Sequence, residues 1–136
     1  MLRRLQDLLA QNIDFAFETT LSSRSFVGLF KQAKEQGYII SLIYYWLDSV
    51  ELAIQRVKIR VSEGGHHIPM DIIIRRYHAG LNNFLNLYRE KVDYWLLIDN
   101  SETEPQFIAE GRSLENYKIT NEVKWKLINK IVEDDT

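Results

Sequence analysis

Arg60-Val-Ser-Glu-Gly-Gly-His-His-Ile-Pro-Met-Asp-Ile-Ile-Ile-Arg-Arg-Tyr77 joins two helical patterns through a short break. Gly64 and Gly65 end the first helix, because a glycine pair adopts backbone conformations that other residues avoid. Pro69 suits the first position of a second helix, and Asp71 puts an acid in its first turn. The hairpin so formed draws Arg60 towards Arg75 and Arg76. Guanidiniums gathered in this way face an anion in one reading, and their fork geometry suits phosphate. In the other reading they form a solvated basic hairpin. His66 and His67 sit in the turn, and no further His, Cys or acid cluster completes a metal-ligand set beside them. His78 reads as a surface residue with no evident partner.

Outward from this hairpin, helices and strands alternate. Upstream, Asp48-Ser-Val-Glu51 matches a capping box with Asp48 as the cap. It opens a helix that buries Val50, Ala53, Ile54, Val57 and Val61 and sets Arg56 and Arg60 on one face. Before it, residues 38–46 are almost continuously apolar and predict a strand buried on both faces. Residues 23–36 predict a helix that buries Phe26, Leu29, Phe30 and Ala33 and stops at Gly37. Ile13-Asp-Phe-Ala-Phe-Glu18 predicts a short strand. The Thr19, Thr20 and Ser22 that follow either line the carboxyl edge of a sheet, where open α/β folds bind ligands, or cap the next helix. Residues 1–11 form an amphipathic helix through Leu2, Leu5, Leu8 and Leu9.

Downstream, Leu81, Phe84, Leu85 and Tyr88 continue the helical period. Gly80 lies inside it and either divides two helices or permits close packing. Residues 93–99 predict a third core strand, with Asn100, Ser101 and Pro105 in the loop after it. Residues 106–110 predict an edge strand, 112–119 a loop, 121–132 a helix, and 133–136 a solvated acidic end. This order predicts an α/β fold with a parallel sheet flanked by helices, in a single domain spanning 1–136 with a helical lid at about 56–80.

Composition narrows the function. The chain has 136 residues, 46% hydrophobic and 26% charged, which fits a globular domain. Cysteine is absent, which excludes disulfides and thiolate chemistry. There is no leader-like start and no apolar stretch of membrane-spanning length, so the expected location is cytoplasmic with no membrane partner. Net charge is −2, but residues 52–92 hold seven bases against three acids, so an anionic ligand belongs there. A pI of about 5.9 argues against nucleic acid as a partner.

The hairpin sequence, together with Phe15-Ala-Phe-Glu-Thr-Thr20 and Tyr94-Trp-Leu-Leu-Ile-Asp-Asn-Ser101, resembles the zeta-toxin-like P-loop kinases in order and approximate spacing. The resemblance covers most of the chain and implies a phosphotransferase of toxin–antitoxin type. Such an enzyme moves phosphate from ATP, with Mg²⁺, to a hydroxyl on a small molecule or nucleotide sugar. It implies Arg60 with Arg75 or Arg76 at the transferring phosphate. It also implies Glu18, Thr19 and Thr20, with Arg24 beside them, at the acceptor. Asn100 and Ser101 fall by the nucleotide base in the resembled family, or form an ordinary polar turn.

One departure is large. No G-x-x-x-x-G-K-[ST] loop occurs in the sequence, so the phosphate cradle, its lysine and the hydroxyl that holds Mg²⁺ have no counterpart. The chain therefore reads as the C-terminal part of a kinase, inactive alone and binding no ATP or Mg²⁺ by itself. Its inner sheet edge is left unpaired unless the remaining strands close on each other. A different class is also open: a non-catalytic remnant that depends on a protein partner or on self-association.

Overall fold

The computed structural model describes residues 1–112 and 114–135; Ser113, within the expected 112–119 loop, and Thr136, in the acidic end, lie outside them. In chain order the elements are α1 (Leu2–Ala10), α2 (Val27–Glu35), β1 (Ser41–Trp46), α3 (Val50–Ser62), α4 (Met70–Asn83), β2 (Tyr94–Asp99), β3 (Gln106–Gly111), β4 (Tyr117–Ile119) and α5 (Glu122–Asp134). A π-helical turn (Phe84–Tyr88) and a 3₁₀ turn (Arg89–Lys91) carry the chain from α4 to β2.

The four strands form one sheet in the order β1-β2-β3-β4. β1 and β2 run parallel, from Ser41 opposite Tyr94 to Trp46 opposite Asp99. Their connection, through α3 and α4, is long enough for a crossover. β2–β3 and β3–β4 are antiparallel, so the expected parallel sheet is in fact a mixed one. The reason is connection length: residues 100–105 can turn a hairpin but cannot cross over. The stretch expected as a loop at 112–119 contains β4, which hydrogen-bonding to β3 draws into the sheet.

Two strand expectations change. Ile13–Glu18 is not a strand. Its Phe15 and Phe17 pack against the core, the latter 5.3 Å from Phe26, while Ile13, Asp14, Ala16 and Glu18 stay exposed. Tyr38 donates its hydroxyl to the Ile13 carbonyl (3.0 Å), but no backbone bond ties the segment to β1. β1 is not buried on both faces either. Leu42, Tyr44 and Trp46 face the helices, while Ile43 (49% exposed) and Tyr45 (55%) face away. Ile39 (83%) and Phe107 (58%) add to that uncovered side. β1 and β2 pair directly, so there is no gap between them; the outer edge of β1 receives no backbone bond among the described residues.

One core lies on the covered face. Leu5 and Leu9 of α1, Leu29 and Phe30 of α2, Leu81 of α4, Phe84 and Tyr88 of the π turn, and Trp125 and Ile128 of α5 meet Trp46, Trp95 and Leu97 of the sheet. Five consecutive π-helical residues bring Phe84, Leu85 and Tyr88 all inward. Arg89 then lies over the rings of Trp95 (5.0 Å), Trp125 (5.4 Å) and Tyr117 (5.6 Å). Burial holds its guanidinium below the usual pKa, and the ring faces supply cation–π attraction.

The α3–α4 hairpin is more exposed than its sequence pattern predicts. No residue of α3 is fully buried; Val50, Ala53, Ile54, Val57 and Val61 are half-buried. Its cap is Ser49, whose hydroxyl accepts from the Leu52 N–H (3.1 Å), one residue after the expected Asp48. Pro69 precedes α4 as its cap rather than occupying the first turn.

Gly80 sits within an unbroken α4, and a β-carbon there would lie 2.5 Å from the Thr20 carbonyl oxygen and 3.0 Å from the Tyr44 hydroxyl. Close packing, not helix division, is its role. Gly80→Ala is expected to destabilise the fold by about 1–3 kcal/mol through overpacking. Gly28→Ala, in α2 with open space around it, should stabilise by about 0.5–1 kcal/mol. Urea denaturation of the two variants checks this opposition of sign.

Candidate functional site

The carboxyl ends of β1 and β2 lie side by side, and a polar cluster is built on them. Asp99, the last residue of β2, is 3% exposed and is the buried charged residue among those described. Its carboxylate accepts from the Ser101 N–H (2.9 Å), the Ser101 hydroxyl (2.5 Å) and the Lys124 ammonium (2.5 Å). Lys124 comes from the first turn of α5, after the Asn121 cap, and also donates to Gln106 Oε1 (2.8 Å). Burial pushes the Asp99 carboxyl up. The Lys124 ammonium and the Ser101 hydroxyl and N–H outweigh it and hold the group below the usual carboxylate range. A buried carboxylate needs such partners, because its desolvation is otherwise uncompensated.

Ser101 joins further elements here. Its hydroxyl accepts from the Asp48 N–H (2.9 Å), just after β1, and its carbonyl accepts from Arg56 Nη2 of α3 (3.0 Å). Asn100 donates its N–H to the Trp46 carbonyl (2.8 Å), continuing the parallel ladder. Arg56, Ser101, Glu102, Thr103, Glu104 and Gln106 line an open groove of about 760 Å³ beside this junction.

Glu18, Thr19 and Thr20 lie in the loop before α2. The Thr19 hydroxyl accepts from the Leu21 N–H (3.1 Å), and those of Thr20 and Ser22 bond each other (2.8 Å). Neither caps α2, which begins at Val27 without a side-chain cap. Leu21 is buried at a φ of +60°, a conformation strained for a branched side chain. Asn83 of α4 holds it by donating to the Leu21 carbonyl (2.9 Å), and Gly80 admits the Thr20 carbonyl next to it. The loop is thereby fixed against α4. Arg24 is exposed in the adjoining turn, which Tyr88 secures by donating to the Ser23 carbonyl (2.6 Å).

Arg60 lies in the last turn of α3, and Arg75 and Arg76 lie in the second turn of α4. Gly64 takes a φ of +103°, and Gly65 donates to the Arg60 carbonyl (2.8 Å) at a distance that a β-carbon would block. The turn therefore requires both glycines. None of the three guanidiniums makes a hydrogen bond or ion pair among the described residues, nor does the Glu18 carboxylate. The hairpin is tied to the sheet below them by Arg56 and by Tyr77, whose hydroxyl donates to the Leu47 carbonyl (2.6 Å). Burial is the main cause of the Tyr77 phenol being pushed up to about 12. The structure thus brings Ser101 and Asn100 to the strand ends, holds the Thr20 and Leu21 backbone against α4 with Thr19 exposed just before them, and leaves the arginine side chains unpaired on a tethered hairpin.

Residues 1–113 match the family model described as zeta toxin. The chain belongs to the zeta toxin family. An uncharacterized protein of Haemophilus influenzae is 42% identical over 69 residues, which are 51% of this chain and 49% of that protein. The chain thus spans about half the length of the curated relative it matches. No solved structure matches it.

The zeta toxin match ends before β4 and α5, yet α5 supplies Lys124 to Asp99 and Trp125 to the core. It also supplies Asp135 just past its end, whose carboxylate lies 2.7 Å from His78 Nδ1; His78 therefore has the partner that its sequence context did not reveal. No helix among the described residues is long and apolar enough to cross a membrane.

Sequence reasoning missed Lys124, Arg56 and Gln106. An Asp followed two residues later by Ser at a strand end does carry an Asx-turn signal, but nothing local announces a lysine 25 positions away. Asp93 is likewise held below the carboxylate range, by Lys34 first and the Ile40 N–H second. Both shifts are depressions, so the stability they contribute is present at neutral pH and is lost as pH falls from about 4 through the folded-state values. Asp99→Asn should flatten part of that acid limb while lowering stability at pH 7. Urea midpoints measured from pH 7 to pH 2 for both proteins test this; parallel curves would remove Asp99 from the acid response.

Proposed function

We propose that this chain is the lid and acceptor side of a zeta-toxin-like phosphotransferase of P-loop kinase type. The observation that carries the reading is the set of unpaired guanidiniums, Arg60, Arg75 and Arg76, on a hairpin tethered to the carboxyl ends of two parallel strands. Ligands of open α/β folds bind at that edge. Phosphoryl transfer is largely positioning and charge stabilisation, so free guanidiniums on a hairpin tethered at that edge are suitable tools. Glu18, unpaired and exposed, stands for the acceptor hydroxyl, with Thr19, Thr20 and Arg24 shaping its loop. Ser101 borders the groove, with Asn100 next to it in the chain, and the reading puts a nucleotide base there.

The residues present do not fit a Mg-ATP site by themselves. The hydroxyls of Thr19, Thr20, Ser22 and Ser101 are each engaged internally, and no group of three or more His, Cys, Asp or Glu among the described residues could hold a metal. The sequence supplies no phosphate loop, whose backbone N–H groups make a triphosphate cradle. Nucleotide and acceptor would be engaged together with a segment carrying that loop. Calorimetric titration of the 136 residues with Mg-ATP is expected to show no micromolar binding; a clear micromolar isotherm would mean a site built without a phosphate loop.

In a protein that joins these residues to a phosphate-loop segment of the family, Arg60→Ala or Arg75→Ala should slow the transfer step by about 2.7–4 kcal/mol, with little change in substrate affinity. Glu18→Gln should lower turnover while leaving stability within about 1 kcal/mol, as expected of an exposed side chain. Single-turnover rates unaffected by the arginine changes, including Arg76→Ala, would end the lid assignment.

A second reading, a partner-dependent binding module, is favoured by the uncovered sheet face at Ile39, Ile43, Tyr45 and Phe107. Strands in parallel pairs are normally covered on both faces. Light scattering is expected to show self-association at tens of micromolar. A monodisperse monomer at that concentration would count against this reading.

A further inference from the structure

We propose that Ser101 is a positioning residue, the anchor that fixes the base of the arginine-bearing hairpin to the carboxyl ends of both parallel strands. This rests on the phosphotransferase reading for its purpose, but not for its geometry. All three polar groups of Ser101 are committed. The N–H and hydroxyl donate to Asp99 at the end of β2. The hydroxyl oxygen accepts from Asp48 after β1, and the carbonyl accepts from Arg56 in α3. One residue just past β2 therefore links that strand's end to the end of β1 and to α3, 53 and 45 positions away.

The placement decides what is held. Asp48 and Ser49 start α3, and Arg56 lies about two turns along it, so the first half of the helix is pinned at both ends. Beyond Arg56, no side chain of α3 bonds another element among the described residues; Arg60 follows one turn later and then the Gly64–Gly65 turn. α4 is held separately, by Tyr77 on Leu47. The hairpin thus has a fixed base and a free tip, and the tip carries Arg60. The anchor is in turn held by Lys124, which keeps the Asp99 carboxylate charged and in place. A residue whose polar groups are all spent in this way acts through the groups it orients, even though it borders the groove.

Hydrogen exchange followed by mass spectrometry tests this on the 136-residue chain with no nucleotide present, so a failure of nucleotide binding would leave the result intact. Ser101→Ala should accelerate exchange in peptides covering 48–56 by about tenfold or more, and trypsin should cut after Arg60 several-fold faster. Peptides from β2 and β3 should keep their protection. Ser101→Thr, which retains the hydroxyl, should restore the parent pattern. Arg56→Met, which leaves the Asp99 contacts alone, should reproduce the loss in the same segment. Unchanged exchange over 48–56 in both Ser101→Ala and Arg56→Met would overturn the proposal. So would a uniform loss of protection through β2 and β3, or a Thr variant that behaves like Ala, since either means general destabilisation.

Discussion

A single carboxylate organises the carboxyl end of the sheet. Asp99 is buried where β2 stops, and a buried carboxylate is tolerated only when charge and hydrogen bonds compensate its lost hydration. Lys124 and Ser101 provide that compensation. In doing so they recruit α5 from the end of the chain, the loop after β1 and the hairpin helix α3. The geometry of the carboxyl edge follows from satisfying this one group.

The apolar framework has a different logic. Every helix that enters the main core lies on one face of the sheet, where Tyr44, Trp46, Trp95 and Leu97 receive it. The opposite face keeps a strip of large apolar side chains in solvent. β1 also presents an outer edge without Pro or charge, which are among the devices that usually blunt such edges. The chain is therefore well packed on one side and open on the other, and both functional readings draw on that asymmetry. The enzyme reading uses the strand ends; the binding reading uses the face and edge.

Much of the fold is legible in the sequence because its signals are local. The periodicity of α2 and α5, the glycine turn of the hairpin and the apolar runs of β1 and β2 fall close to where they were expected. The failures involve non-local choices. Ile13–Glu18 has strand-forming residues, but its aromatics are satisfied by Phe26 and Tyr38 without a backbone partner. Asp48 looks like a helix cap until the Ser101 hydroxyl takes its N–H and Ser49 assumes the role. For the candidate site, the hairpin that carries the arginines could be read from local spacing. Lys124, Arg56 and Gln106 could not, because their meaning depends on a contact with the end of another strand.

The aromatic box around Arg89 gives the protein an optical signature of its own. The indoles of Trp95 and Trp125 stack with centroids 6.1 Å apart and planes within 14° of parallel. Transition dipoles held so close couple, and an in-plane rotation of one indole against the other turns that coupling into a paired positive and negative band in circular dichroism. One indole belongs to the sheet and the other to α5. The band therefore reports whether the last helix is docked over the sheet, with no label or ligand, and it would vanish before the sheet itself melts if α5 detaches first.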